Sequence, residues 1–121
     1  MDTQEFENLI NQAVEELPES IREKLNNVEI TLEEGDSPNN SLFGLYHGVS
    51  QLNRGSSYGM GGVLPDKITI YKGTIEKFSG GEHNIPKLVR RVVWHEIGHH
   101  FGFDEAGIRR LEEKWAKENK V

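Results

Sequence analysis

His95-Glu96-Ile97-Gly98-His99-His100-Phe101-Gly102-Phe103-Asp104-Glu105 is the stretch on which the reading of this chain turns. It continues Ile85-Pro86-Lys87-Leu88-Val89-Arg90-Arg91-Val92-Val93-Trp94, where Leu88, Val89, Val92 and Val93 recur at helical spacing. Pro86 suits a first helical turn, and Gly102 suits the left-handed residue that ends a helix. The histidines therefore fall inside a helix running from near Ile85 to Gly102. Side chains four apart stack on one helix face, so the imidazoles of His95 and His99 can converge on one ion, for zinc at about 2.0–2.1 Å each. Glu96 sits about 100° round the helix from His95, where it can take a proton from a water on the ion without displacing it. His95-Glu96-x-x-His99 on a helix thus divides metal ligands from a general base.

Two histidines hold a catalytic zinc poorly, and such sites take three protein ligands. Gly102 can swing the chain back toward the ion, and Glu105, three residues further, stands where extended motifs of this type place their last ligand. The adjacent Asp104 is the alternative, since either carboxylate suits zinc. The expected cofactor is one Zn2+ per chain, on His95, His99 and Glu105. His100 points about 100° away from His99 and reads as a packing residue or a support for the ligands.

Working outward, Asp2 to Leu17 carries Phe6, Leu9, Ile10, Ala13, Val14 and Leu17 at helical spacing, with Asp2 and Glu5 placed as a capping box and Pro18 as the stop. Ser20 to Leu25 adds a short helical turn. Val28, Ile30 and Leu32 alternate with polar residues as a strand, the 35–40 cluster turns the chain, and Leu42 to Val49 is a second strand whose Gly44 and Gly48 mark bulges or close approach. Gln51 to Gly62 is too glycine-rich for regular structure and reads as a surface loop. Lys67 to Lys72 is a third strand, and Asp104 to about Lys117 a final helix, with Trp94 and Trp115 filling the core between the last two helices. Lys87, Arg90 and Arg91 read as a solvated face. The order predicts an α+β domain over residues 1–121, helices packed on one face of a small sheet.

The 121 residues suit one domain, and 14 Lys plus Arg against 20 Asp plus Glu leave a net charge of −6 that opposes nucleic acid and anionic membrane surfaces. With no cysteine, disulfide scaffolds, thiol nucleophiles and iron–sulfur clusters are excluded. The start Met1-Asp2-Thr3-Gln4-Glu5 shows no basic or apolar targeting signal, and no apolar run approaches the ~20 residues of a membrane helix, so a cytoplasmic monomer is expected.

Leu42 to Val49, Gly62 to Gly73 and, most specifically, His95 to Glu105 resemble the minimal zincin-like metallopeptidases, small bacterial proteins. The resemblance spans most of the chain and implies a minimal zincin-like fold: a mixed or antiparallel sheet of about three or four strands with N-terminal, active-site and C-terminal helices. It further implies hydrolysis of peptide bonds in a peptide or protein substrate by metal-activated water, with Glu96 as general base. The family's last ligand is usually aspartate, one methylene shorter than Glu105. The chain also looks like the larger metzincins as far as Gly102, but lacks their third histidine and has no methionine after the motif; Met60 lies upstream. Few residues follow Glu105, which implies a shallow, open groove. The family's fold suggests a substrate peptide adding to an exposed sheet edge at Lys67–Lys72. Tyr46, Tyr58, Tyr71 and His83 carry groups suited to an oxyanion but read as structural. The rival function is a catalytically weak or inactive zinc-binding interaction module.

Overall fold

The computed structural model describes residues 1–25, 27–48 and 66–119. The glycine-rich 51–62 segment, with Tyr58 and Met60, lies outside them. Helix α1 (Thr3–Glu15) begins where the Asp2 carboxylate accepts the backbone N–H of Glu5 at 2.8 Å, and it buries Phe6, Ile10 and Ala13. After Pro18 the chain makes one turn, α2 (Glu19–Arg22). Strands β1 (Val28–Glu33), β2 (Gly44–His47) and β3 (Asp66–Tyr71) follow, and a further helix, α3 (Lys72–Phe78), comes directly after β3. Helices α4 (Ile85–Phe101) and α5 (Glu105–Asn119) close the fold.

The sheet is three-stranded and mixed, in the order β1-β3-β2, with β1 parallel and β2 antiparallel to β3. This corrects the expectation that the third strand offers a free edge. β3 is paired on both sides, Thr69 facing Thr31 in β1 and Leu45 in β2, so its backbone has no edge to give. Among the described residues the sheet strand at the edge beside α4 is β2. α3 is a second difference: the strand pattern predicts a strand as far as Lys72, but Lys72 already starts a helix that buries Thr74 and Ile75.

α4 packs on β2 and β3 on one side and carries α1 and α5 on others, so it runs through the middle of the core. Val89, Val93 and Ile97 on it are fully buried, together with Ile68 and Ile70 of β3 and Phe6 of α1. The Trp94 indole N–H donates to the carbonyl of Ala13 at 2.8 Å, satisfying a carbonyl in the last turn of α1. Its ring meets Trp115 edge to face, centroids 6.0 Å apart, so the two indoles fill the space between α4 and α5 as their spacing predicts. Arg90 is not simply solvated: its guanidinium lies over the Trp94 ring and 4.0 Å from Glu16. Among the described residues no helix is long and apolar enough to cross a membrane.

Candidate metal centre

The last turns of α4 carry His95, Glu96 and His99. The two imidazole centroids lie 5.0 Å apart, and one ligand atom from each of His95, Glu96 and His99 falls within 4.8 Å of the others. Both imidazoles are about one-third exposed, whereas Glu96 is buried against β2. A side chain at Gly44 of β2 would meet Val92 Cγ1 at 2.9 Å and Glu96 Cγ at 3.3 Å, so the absence of one lets the strand edge lie against the helix.

Gly102 then turns the chain. Its φ of 92° is left-handed, its N–H donates to His99 O and that of Phe103 to Gly98 O, the paired bonds of a Schellman end. The Asp104 carboxylate accepts the N–H of Gly107 at 2.8 Å and so caps α5. That capping points Asp104 along its own helix and leaves Glu105, in the first turn, to face α4. Glu105 Oε2 lies 3.1 Å from His95 Nε2 and Oε1 lies 3.2 Å from His99 Nε2. The structure thus brings His95, Glu96, His99 and Glu105 together and directs Asp104 elsewhere.

What brings α5 this close is Gly98. A Cβ there would stand 2.7 Å from Ile108 Cγ1, so the glycine is the notch that seats the buried Ile108. Ile108 lies one turn from both Glu105 and Glu112, so seating it places both carboxylates beside α4.

The donor set fits zinc. Tetrahedral arms of about 2.0–2.1 Å give edges of about 3.3 Å between donor atoms, and each imidazole Nε2 has one oxygen of Glu105, a different one for each, near that distance. Two imidazoles and one carboxylate are also the donors of an open catalytic site, since a closed structural site uses four protein ligands. Burial pushes the Glu96 carboxyl above its ordinary range, partly offset by the charges of His95 and His99 and by the Tyr46 backbone N–H. Glu112, beside His95 Nδ1, raises the imidazole above its usual value, with burial opposing and the Glu105 and Glu96 charges assisting.

A groove of about 410 Å3 opens beside the site, lined by Leu42, Phe43 and Gly44 at the β2 side, Leu88 and Val92 of α4, and Arg109 of α5.

The sequence profile of the zincin-like metallopeptidase family matches residues 10–115. The chain belongs to this family. Among solved structures it is similar to a conserved hypothetical protein from Thermo thermophilus, with 22% identity, a TM-score of 0.58, and 93% of this chain and 99% of that one covered. That likeness concerns the fold. No curated protein matches the chain. Membership in a zincin-like family accords with the mixed sheet and with the metal-suited His95, Glu96 and His99 on the longest helix.

One polar group was missed by sequence reasoning. Asp66, just before the strand expected over Lys67 to Lys72, is buried at the start of β3, where its Oδ2 meets His100 Nδ1 at 2.8 Å and accepts the Tyr46 hydroxyl at 2.7 Å. His100, fully buried, is therefore the tie between α4 and the sheet, and Tyr46 directs its hydroxyl into that tie. Tyr71 lies in the core and His83 in the turn before α4. The second missed residue is Glu112.

Proposed function

We propose that this chain is a zinc metallopeptidase in which His95, His99 and Glu105 hold one Zn2+ and Glu96 is the general base. The observation that carries the reading is the Glu105 carboxylate facing both Nε2 atoms at 3.1 and 3.2 Å while a buried fourth group, Glu96, stands beside them. A zinc ion on those three residues supplies a water that ionises near neutral pH and a positive charge for a carbonyl oxygen.

Glu96 then does the proton work. Buried beside the two imidazoles, its carboxylate stands where it can accept a proton and return it. A Glu96 oxygen takes the proton of the attacking water and gives it to the nitrogen of the departing amine. The substrate peptide lies along the β2 edge, where backbone hydrogen bonds give affinity with little side-chain selection. Leu42, Phe43, Leu88 and Val92 offer apolar contact on the same side.

The experiment is a peptide-library digestion by the zinc-loaded protein read by mass spectrometry, with Glu96→Gln as control. Cleavage that falls about 10²–10⁴-fold in Glu96→Gln supports the reading. Zinc retained with no cleaved peptide would make the chain a zinc-holding interaction module instead.

A further inference from the structure

Both ring nitrogens of His95 face carboxylates from one helix. Glu105 addresses Nε2 from the first turn of α5, and Glu112 Oε1, two turns on, lies 3.6 Å from Nδ1. Glu112 is only 18% exposed on its side chain, and His95 is its one ion-pair partner among the described residues. A glutamate half-buried at a helix interface without a purpose is an unfavourable choice, because its desolvation is offset only by the partner it meets. The separation is an ion-pair distance, longer than a hydrogen bond.

We infer that Glu112 is a positioning residue: its carboxylate accepts the Nδ1 proton of His95, locking the tautomer in which Nε2 presents its lone pair to the ion. The inference rests on His95 being a ligand as proposed above. A neutral imidazole carries one proton on one of two nitrogens, and only the Nδ1–H form leaves Nε2 free to bind. In the ion-free chain Glu105, 3.1 Å from Nε2, competes for that proton. With an ion held at Nε2 the proton stays on Nδ1, where Glu112 accepts it and fixes the ring plane, and the negative charge raises the donor strength of Nε2. No other acceptor stands at Nδ1 among the described residues, so the task falls to Glu112. The same seating of Ile108 against Gly98 that delivers Glu105 to one nitrogen delivers Glu112 to the other.

Two readouts on the parent, Glu112→Ala and Glu112→Gln test this. The first is the Nδ1–H resonance of His95 in zinc-loaded protein, whose shift and exchange with water report its acceptor, with His99 as internal reference. The second is zinc affinity by chelator competition. The expected result is a downfield, slowly exchanging His95 Nδ1–H in the parent, a faster-exchanging one in Glu112→Ala with His99 unchanged, and zinc binding weakened about 10–100-fold. Glu112→Gln, which keeps a neutral acceptor, restores the resonance and most of the affinity. A Glu112→Ala variant with parental resonance and affinity overturns the inference, as does a Glu112→Gln variant no better than Glu112→Ala. A parent that binds no zinc defeats the proposed function and this inference with it, whereas a parent that binds zinc beside unaffected variants overturns the inference alone.

Discussion

Replacing Gly98 with alanine adds one methyl group at the contact that positions Glu105, the proposed third ligand. The new Cβ would lie 2.7 Å from Ile108 Cγ1 and 3.3 Å from Cδ1, against an ordinary carbon–carbon contact of about 3.5–4.0 Å. Ile108 is fully buried and β-branched, so its χ1 has no easy alternative, and α5 must retreat by about 1 Å. Overpacking of this kind costs about 1–3 kcal/mol, while alanine for glycine inside a helix returns about 1 kcal/mol. The net is a loss of about 1 kcal/mol, a melting temperature lower by roughly 3–5 °C for a chain of this size. The effect on metal is larger in proportion, because ligand distances tolerate only about 0.2 Å, and a displaced Glu105 weakens zinc at least about 10-fold. Thermal melting and chelator competition on Gly98→Ala measure the two effects. In an Ile108→Ala background the clash is gone, so Gly98→Ala there should stabilise by about 1 kcal/mol. A Gly98→Ala protein that melts higher than the parent and keeps its zinc affinity would refute the notch argument.

Two further outcomes follow from polar contacts away from the ion. Asp66→Ala leaves the buried His100 ring and the Tyr46 hydroxyl without their shared acceptor and should lower stability by about 3 kcal/mol in denaturant titration; a loss under about 1 kcal/mol would mean that Asp66 does not tie α4 to the sheet. The Glu76 carboxyl is held below its ordinary value chiefly by Lys72, 3.0 Å away, so its contribution is present above the unfolded-state value near 4.5 and fades as acid protonates it; Glu76→Gln should cost about 0.5 kcal/mol at neutral pH and nothing at the acid end of a pH series, where an equal cost at both would contradict the ion pair.

Elements set by local chemistry were legible in the sequence. The Asp2 cap, the Pro86 start and the Gly102 stop are written within a few residues of the helices they bound, and the structure has α1 and α4 there. Helix α3 was not legible, because Lys72 to Phe78 carries a glycine and only two apolar residues, Ile75 and Phe78; its place is set by burial of Ile75 and Thr74 in the folded core. Strand order was also out of reach, since pairing of residues 66–71 with both 28–33 and 44–47 is a matter of distant contacts. In the site, the helix spacing pointed to His95, Glu96 and His99 as a group. Between Asp104 and Glu105 the structure adds the cap at Gly107 N–H, which occupies the first and turns the second toward α4. Asp66 and Glu112 carried no signal, because each draws its meaning from a histidine 34 or 17 positions away along the chain.

The central claim is that His95, His99 and Glu105 hold a zinc ion, and elemental analysis addresses it most directly. Protein purified without added metal is measured for zinc per chain beside the His99→Ala variant. The account predicts close to one zinc in the parent and close to none in the variant. A parent without zinc, even after dialysis against the metal and washing, would contradict it.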